Sequence, residues 1–463
     1  MTGTGRHHAP PQADALCAVR VWLSAAPARD LDLAALAAGA DVVLFDDGRR
    51  RMAGIGTALD IPLEGGDDGA VVLARLGAVT IQADTGSPPP GHQRRGLRHP
   101  LVAFGALGFE RAPTVLRVPA VLYVEEADGT RWATVTTAPA GPGAAPGPRP
   151  EPADVERWLA RRAAACASPH RAPRAARDAV AIEPVGGAAS FDDALDDTLA
   201  SLRRGELTKV VLARHVDVDL GGAPDMADLL RRWRNLEPAC TVFALAVAGG
   251  RFVGASPELL VDRRGDAVVS WPLAGTAARP PGASEHASDG LLASTKDATE
   301  HRLVVEAIAR SLGTVCSSLT VPDHPDLVRL RSVDHLGTRI DGRLRRVPGS
   351  DPPDALSLAR LLHPTPAVGG TPAAEALARI AAVEPAPRGP YAGPVGYVDG
   401  DGDGSFVLGI RSALLSGHRA RVCAGAGLVA ASDAATERAE VDLKLAAVLA
   451  ALAPAGASVR APA

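Results

Sequence analysis

The sequence predicts an α/β protein of the α+β type, with strands in antiparallel groups and helices between those groups. Two observations predict this class. Segments typical of strands follow one another directly, as in a meander over 240–276 that turns at glycine pairs and a hairpin over 121–137 that turns at Asp128 and Gly129. Segments typical of helices do not alternate with them one for one, so a doubly wound parallel sheet is not expected.

The individual elements follow from local patterns along the chain. Short apolar or alternating runs predict strands at 41–47, 71–79 and 121–137, and helical periodicity predicts a helix at 155–167. A helix over 190–205 begins at Ser190, carries Asp192 and Asp193 in its first turn and ends near Gly205. The remaining predictions are strands at 208–220, 240–276, 395–415 and 419–430, and helices at 294–312, 354–362, 372–382 and 434–452.

Composition excludes several classes of protein. Of 463 residues, 46% are hydrophobic and 22% are charged, which is typical of a globular protein and excludes wholesale disorder. The 49 Lys and Arg residues against 53 Asp and Glu residues give a net charge of -4, and only 3% of residues are aromatic, so no nucleic-acid partner is expected. Five widely spaced cysteines, the lack of an apolar leader segment and the lack of a long apolar run predict a cytoplasmic protein without a membrane span.

Lysine is rare in this chain. Only Lys209, Lys296 and Lys444 stand among the 49 cationic residues. A GC-rich coding bias explains the general excess of arginine. A lysine that persists against such a bias can stand where an amine must lose its proton, which arginine does not do.

Two glycine-containing motifs are compared with common ligand sites. The run 425–430, GAGLVA, matches G-x-G-x-x-A, but no βαβ unit surrounds it, so a dinucleotide site is not expected. Its glycines can instead let backbone N–H groups approach a small anion. The run 399–404, DGDGDG, has Ile410 at position 12, where a Ca²⁺ loop of the EF-hand type needs Glu, so it predicts a solvated hairpin turn.

Two pairs of carboxylates are candidates for a metal site. Asp297 and Glu300 stand at i, i+3 in one predicted helix, and Glu437 and Glu440 do so in the last helix, so each pair shares a helix face. Four carboxylates suit a hard cation such as Mg²⁺. The alternative is a solvated acidic face in which Glu440 pairs with Lys444 at i+4.

Lys209 and Glu258 are candidates for acid–base chemistry. Lys209 lies within an apolar strand, KVVLA, where loss of solvation favours the neutral amine and would let it act as a base. The alternative is a strand-edge lysine whose ammonium group reaches water. Glu258 follows Pro257 at the start of a predicted strand, and its alternative is a surface carboxylate.

Nine segments, in this order, together resemble the chorismate-utilising enzymes, a family that includes isochorismate, salicylate, anthranilate and aminodeoxychorismate synthases. They are KVVLAR (209–214), GASPELLV (254–261), PLAGTAARP (272–280), KDATEHRLVVEAI (296–308), HLGTRIDGRL (335–344), LHPTPAVGGTP (362–372), RGPYAGPVGY (388–397), VLGIRSALL (407–415) and CAGAGLVAASDAATERAEVDLK (423–444). The region before about Ser190 resembles the family only loosely, at 99–111. The resemblance implies one large fold of two antiparallel β-sheets sandwiched by helices.

Composition and the resemblance together imply four parts of the chain. They are a disordered N-terminal tail at 1–15, an N-terminal part of the fold at 16–185 with a Pro/Gly-rich loop at 138–154, a chorismate-binding catalytic region at 186–455, and a flexible C-terminal tail at 456–463.

The resemblance implies a role for each candidate residue. Lys209 would be the catalytic base and Glu258 the catalytic acid. Glu300 and Glu440 would bind Mg²⁺ directly, and Asp297 and Glu437 would bind it through waters. The residues expected to bind the substrate are Gly275, Thr276, His335, Ala367, Tyr391, Arg411, Gly425, Gly427 and Lys444.

Three positions indicate the reaction that the resemblance implies. Relatives that attack the ring with an enzyme amine carry a lysine in P-I-K-G-T, where this chain has Ala274 in PLAGT. Ammonia-using relatives lack a lysine at the position of Lys209, so water is the expected nucleophile. Salicylate synthases tend to carry a hydroxyl side chain where this chain has Ala367. The resemblance thus implies a Mg²⁺-dependent isomerase that converts chorismate to isochorismate, by attack of water at C2 and loss of the C4 hydroxyl, for menaquinone or siderophore biosynthesis.

Two other functions remain as alternatives, a salicylate synthase and a non-catalytic chorismate-binding paralogue. A glutaminase subunit that supplies ammonia is not expected, because Lys209 favours water. The expected partner is the small molecule chorismate, with no membrane or nucleic acid, and the chain is expected to be a monomer.

Overall fold

The computed structural model describes residues 16–23, 31–39, 41–65, 68–88, 99–138, 148–166, 181–187, 190–280, 282, 284 and 288–453. The predicted tails at 1–15 and 456–463 lie outside these ranges, as do residues 139–147 of the predicted loop. The described ends of that loop, residue 138 and residues 148–151, have no regular structure, and a helix begins at Pro152.

The described ranges contain ten helices. Their bounds are α1 Leu33–Ala37, α2 Asp68–Gly77, α3 Pro152–Cys166, α4 Ser190–Arg203, α5 Met226–Leu236, α6 Asp289–Ala293, α7 Thr295–Gly313, α8 Ala355–Leu362, α9 Ala373–Val383 and α10 Ala434–Leu452. Ser294 and Asp433 cap α7 and α10, since their side-chain oxygens accept the N–H groups of Asp297 and Thr436. Among the described helices, none has both the length and the apolar composition needed to cross a membrane.

The described ranges also contain 25 strands. Their bounds are β1 Cys17–Trp22, β2 Val42–Asp46, β3 Arg50–Ile55, β4 Leu59–Leu63, β5 Thr80–Ile81, β6 Val102–Ala106, β7 Thr114–Val118, β8 Val121–Glu126, β9 Arg131–Thr137, β10 Ala181–Pro184, β11 Lys209–Asp219, β12 Thr241–Val247, β13 Gly250–Ser256, β14 Leu259–Arg264, β15 Ala267–Trp271, β16 Leu273–Ala278, β17 Cys316–Thr320, β18 Asp326–Arg329, β19 Val333–Gly337, β20 Ile340–Leu344, β21 Gly370–Thr371, β22 Pro394–Asp399, β23 Gly404–Leu408, β24 Ser412–Ser416 and β25 Arg419–Val429.

The described strands form three sheets. The largest has 13 strands in the order β10-β11-β25-β24-β13-β12-β2-β3-β8-β9-β1-β5, with β21 paired to β11. The second has nine strands in the order β17-β20-β15-β14-β23-β22-β6-β7-β4, and the third has three in the order β16-β19-β18. Apart from β1 with β5, the strand pairs are antiparallel. The two large antiparallel sheets confirm the predicted fold class, and the three-stranded sheet is an addition to it.

Aromatic side chains fill the space between the two large sheets. Phe45 of β2 and Phe243 of β12 come from the first sheet and Tyr397 of β22 from the second, and all three are fully buried. The Tyr397 ring meets the Phe45 ring edge-on, with ring centroids 5.3 Å apart, a favourable arrangement for aromatic rings. Helices α4, α9 and α10 contact β11 or β25 of the first sheet, and α8 contacts β14 and β23 of the second.

One predicted element is wrong and one is wrong in part. Residues 71–79 do not form a strand, because helix α2 covers Asp68–Gly77. Val72 and Leu76, four residues apart, are buried, whereas Val71 is 46% exposed, which is the pattern of one helix face. An apolar run this short fits both a strand and a helix. The hairpin turn at 399–404 is present between β22 and β23, but Asp399 and Asp403 are buried rather than solvated.

Candidate active site

A cavity with an empty volume of about 750 Å³, open to solvent at its mouth, lies where β11 and β25 meet the three-stranded sheet and the helices α7 and α10. Most of the predicted site residues line it: Glu258, Gly275, Thr276, Glu300, His335, Ala367, Tyr391, Arg411, Gly425, Gly427, Glu440 and Lys444. Lys209, Asp297 and Glu437 are not among its lining residues. We call this space the substrate cavity.

The paired strands β11 and β25 form one wall of the substrate cavity. In their antiparallel register Val211 lies opposite Gly427 and Ala213 opposite Gly425. A Cβ atom on Gly427 would lie 2.1 Å from Glu300 Oε1 and 3.2 Å from Lys209 Cε, so only glycine leaves room for these two side chains. The structure thus gives Gly427 a role that the motif did not predict: it makes space for protein side chains.

Lys209, at the start of β11, lies on the same face of the strand as the lining residue Val211 and is fully buried. Its Nζ atom is 3.0 Å from Glu300 Oε1. No described group forms a hydrogen bond of good geometry with Nζ, so the contact with Glu300 is an ion pair at hydrogen-bonding distance but poorly aligned. The alternative of a lysine that reaches water at a strand edge is wrong, because Lys209 has no exposed surface.

Glu258 lies at the start of β14 and is 4% exposed. Its Oε1 atom accepts a hydrogen bond of 3.4 Å from the N–H of Leu273. Burial raises the pKa of Glu258 to about 8, although this N–H and the charges of Lys209 and Lys444 act in the opposite direction. The carboxyl group is therefore protonated at neutral pH and can donate a proton into the substrate cavity.

Each predicted metal-binding glutamate is paired with a lysine. Besides the contact between Lys209 and Glu300, Lys296 Nζ is 2.6 Å from Glu437 Oε1 and Lys444 Nζ is 2.6 Å from Glu440 Oε1. Burial raises the pKa of Glu437, whereas for Glu440 the charge and the hydrogen bond of Lys444, together with smaller contributions from neighbouring groups, outweigh burial and lower the pKa. The fourth carboxylate, Asp297, accepts a hydrogen bond from the hydroxyl of Ser294.

These carboxylates are close enough to share one cation electrostatically. Burial would lower the pKa of Lys296, but Glu437, Glu300 and Glu440 together raise it. The described ranges contain no group of three or more His, Cys, Asp or Glu side chains arranged to hold a metal ion. Glu300 and Glu437 are 11% and 1% exposed at their side chains, so the alternative of a solvated acidic face is wrong for this cluster, although the Glu440–Lys444 pair that it included is present.

His335 and Arg411 form a second polar group in the lining of the cavity. His335 Nδ1 lies 3.1 Å from the carbonyl oxygen of Gly275 and 3.3 Å from Thr276 Oγ1, so donation to the carbonyl assigns the hydrogen to Nδ1. Its Nε2 atom then accepts from Arg411 Nη2 at 3.5 Å. Burial and the charges of Arg411 and Lys444 lower the pKa of His335 to about 3, so this ring is neutral. Arg411 has a φ of 51°, a strained backbone conformation of the kind often found at functional sites.

Sequence reasoning missed a buried ion pair that shapes the cavity. Arg388 donates to the carbonyl oxygens of Val368 at 2.6 Å and Val211 at 2.7 Å, and it pairs with Glu384. Glu384 in turn accepts the N–H of Ala213 at 2.9 Å. The pair thereby fixes the backbone of β11 against the loop that carries Val368. The sequence does indicate Arg388, because it is the first residue of the RGPYAGPVGY segment. Its partner Glu384 lies outside every segment that carries the resemblance.

Comparison with known proteins agrees with this geometry. A family profile described as chorismate binding enzyme matches residues 148–453. The chain is 42% identical over 264 residues to the salicylate biosynthesis isochorismate synthase of Pseudomonas aeruginosa, a match that covers 57% of this chain and 54% of that protein. It is 42% identical over 259 residues to the putative isochorismate synthase MenF of Mycobacterium tuberculosis, covering 54% and 68%. The match thus spans about half of the Pseudomonas protein and about two thirds of the mycobacterial one.

Solved structures match over nearly the whole chain. A structure of a putative 2,3-dihydroxybenzoate-specific isochorismate synthase, DhbC from Bacillus anthracis, has a TM-score of 0.71 and 27% identity, covering 91% of this chain and 99% of that one. The menaquinone-specific isochorismate synthase MenF from Escherichia coli has a TM-score of 0.74 and 25% identity, covering 96% of both chains.

Proposed function

This chain belongs to the family of chorismate binding enzymes, and we propose that it isomerises chorismate to isochorismate. The observation that carries the proposal is the buried Glu258, which lines the substrate cavity with a pKa of about 8 and thus faces the ligand as a proton donor at neutral pH. The names of the relatives from Pseudomonas and Mycobacterium support the same activity.

Glu258 would act as the general acid. Loss of the C4 hydroxyl from the ring requires a proton, so that the leaving group departs as water rather than hydroxide. A carboxyl group with a pKa near the working pH is well suited to give this proton. The environment of Glu258 is the kind that produces such a pKa, because burial dominates its electrostatics.

Lys209 would act as the general base. In its amine form it removes a proton from a water molecule as that water attacks C2, while the ring double bonds shift and the C4 hydroxyl departs; the atoms balance because one water enters and one leaves. Lys209 lies on the cavity face of β11 next to the lining residues Glu300 and Gly427, and Glu300 Oε1, 3.0 Å from its Nζ atom, fixes the position of the side chain. Ala274 supports water as the nucleophile, because it lines the cavity with a methyl group where an amine route would need a lysine.

Several polar groups would hold the carboxylates of the substrate. Arg411 and Lys444 supply positive charge to the cavity, and the neutral His335 supplies hydrogen bonding without competing for the proton. Ala367 adds only a methyl group, which supports isochorismate rather than salicylate as the product. The proposed product would serve menaquinone or siderophore biosynthesis.

The donor atoms around the cavity fit Mg²⁺. All four predicted ligands are carboxylates, and Mg²⁺ commonly keeps several waters and binds through only one or two protein carboxylates. Glu300 and Glu440 line the cavity and would be the direct ligands; Asp297 and Glu437 do not line it and would act through waters. When bound, Mg²⁺ would neutralise the ring carboxylate and withdraw electron density from the ring.

Incubation of the protein with chorismate and Mg²⁺, followed by identification of the product, tests the proposal. Isochorismate is expected as the main product, and the variant Glu258→Gln should form it about 10²–10⁴-fold more slowly. Accumulation of salicylate and pyruvate would instead identify a salicylate synthase. Binding of chorismate without turnover would identify a non-catalytic paralogue.

A further inference from the structure

A second cavity lies beside the substrate cavity on the same face of the large sheet. Its empty volume is about 940 Å³, including the open space at its mouth. Strand β25 supplies Arg419, Arg421 and Cys423 to it, and supplies Cys423, Gly425 and Gly427 to the substrate cavity. Alternate residues of a strand point to one face, so these five positions form a single row. The second cavity is therefore a continuation of the substrate cavity along β25.

Arg388 and Tyr391 form the partition between the two cavities, because both residues line both spaces. Neither can move freely. Tyr391 is 8% exposed and Arg388 is 4% exposed. Arg388 is also fixed by Glu384 and by the carbonyl oxygens of the substrate-cavity wall. A ligand in the second cavity would therefore touch side chains that also face the substrate.

The rim of the second cavity carries an excess positive charge. Arg421 is neutralised by Asp217, with hydrogen bonds of 2.6 and 2.8 Å to its two oxygens. Arg419 is exposed and, within the described ranges, makes no ion pair. Its cross-strand neighbour Asp219 accepts the N–H of Gly221 at 2.7 Å instead. Arg419 is thus available to bind an anion.

The floor of the same cavity is apolar. Leu414 and Pro390 are partly exposed and contribute aliphatic surface, whereas Phe252, at 1% exposure, presents almost none of its ring. Such a floor suits the flat face of a six-membered ring, whereas an inorganic anion would gain nothing from it. Arg419 and the apolar floor of the second cavity together therefore fit an organic anion in which a carboxylate is attached to a ring.

We propose that the second cavity binds a small ring carboxylate, with its carboxylate on Arg419 and its ring on Leu414 and Pro390, and that this ligand weakens the binding of chorismate. The sign of the coupling follows from the partition. Arg388 is already neutralised by Glu384, so two anions on either side of the partition repel each other, and by linkage each weakens the binding of the other. The proposed binding site rests only on the geometry of the second cavity, whereas its effect on chorismate binding also rests on the proposed function.

Benzoate is the probe for the binding site, measured by titration calorimetry with the full chain. Arg419→Glu should weaken benzoate binding by about fivefold, the upper end of what one exposed ion pair contributes. Ser416→Trp, at an exposed position of the rim, should abolish binding by filling the cavity. Arg343→Glu is the matched control, since it makes the same change of net charge at an exposed pair with Asp266 on the second sheet. No binding to the wild type, or equal binding to all variants, would overturn the site.

The coupling is measured as the effect of benzoate on the KM for chorismate. Benzoate should raise KM in the wild type and in Arg343→Glu but not in Arg419→Glu, whose KM without benzoate should equal that of the wild type. An equal rise in Arg419→Glu would show that benzoate competes in the substrate cavity, and the coupling would be refuted. A protein that binds benzoate through Arg419 yet does not turn over chorismate would refute the proposed function and leave the binding site in place.

Discussion

Replacing Lys209 by methionine should remove most of the turnover and leave chorismate binding largely intact. Lys209 has no exposed surface, and its stem passes Gly427, where even a Cβ atom would lie 3.2 Å from Lys209 Cε. Methionine keeps an unbranched side chain of similar volume and therefore preserves this packing. Lys209→Arg would preserve the charge, but it must place a larger planar group in a space already filled by Glu300, so it tests packing as well as chemistry.

The magnitude follows from two separate terms. Loss of a general base typically costs about 10²–10⁴-fold in rate, or roughly 3–5 kcal/mol of barrier. Loss of the ammonium group also leaves Glu300 without its partner at 3.0 Å. Removing one partner of a fully buried pair costs about 3–5 kcal/mol of stability, but Glu300 lines the cavity and water can reach it, so a smaller loss is expected. The loss of rate and the loss of stability can be measured independently.

The assay compares kcat and KM for chorismate at saturating Mg²⁺ with a denaturant unfolding curve for each protein. Lys296→Met is the matched control, because it removes a lysine from the same carboxylate cluster without removing the proposed base. It should keep kcat within about tenfold of wild type, while Lys209→Met should lose at least about 10²-fold with little change in KM. A Lys209→Met enzyme within about tenfold of the wild-type kcat would refute the assignment of Lys209 as the base.

Four further outcomes are expected. Because Glu258 must be protonated to act, kcat/KM should fall by about tenfold per pH unit above a pH of about 8, and a pH profile of the wild type that stays flat to pH 10 would contradict this role. Removal of metal by EDTA should abolish turnover and Mg²⁺ should restore it, while Glu300→Gln and Glu440→Gln should remain nearly inactive after Mg²⁺ is added; full activity in metal-free buffer would exclude the metal site. In H₂¹⁸O the label should appear at C2 even with excess ammonium, whereas an aminated ring as the main product would exclude water as the nucleophile. Gly427→Ala should lower both kcat and the melting temperature, since its Cβ would overlap Glu300 Oε1 at 2.1 Å, whereas Gly222→Ala, with open space around it, should change neither.

Of the seven described helices of the catalytic region, local signals predicted α4 and α7 to α10, whereas α5 and α6 were not predicted. The last helix was expected at 434–452 and runs from Ala434 to Leu452, since Asp433 caps its start. The error at 71–79 has the opposite cause. Only the packing of Val72 and Leu76 against the core decides between a strand and a helix there, and packing is not a local property.

The candidate site likewise has features that the sequence predicts and features that only the folded chain determines. The family segments contain all the residues that line the substrate cavity, but they do not show how those residues pair. The contacts of Glu384 with Arg388 and with the N–H of Ala213 join residues that are 4 and 171 positions apart, and only the folded chain brings the three together. Likewise, the space that Gly427 leaves for Glu300 depends on the register of β25 with β11 and on the position of α7. Neither can be derived from the spacing of the motif.

The three lysines make the same kind of contact, and this contact gives a physical reason why these positions carry lysine in an arginine-rich chain. Each lies within 3.0 Å of a different glutamate of the proposed Mg²⁺ site: Lys209 of Glu300, Lys296 of Glu437 and Lys444 of Glu440. A carboxylate that pairs first with a protein cation and then with a bound metal needs a cationic partner that can move away. An ammonium group is compact, sits on a flexible stem and binds one oxygen, whereas a guanidinium group tends to hold both oxygens of a carboxylate in a fixed fork. Arginine at these positions would therefore compete more strongly for the same oxygens, and lysine is the cation that neutralises the cluster without closing it to metal.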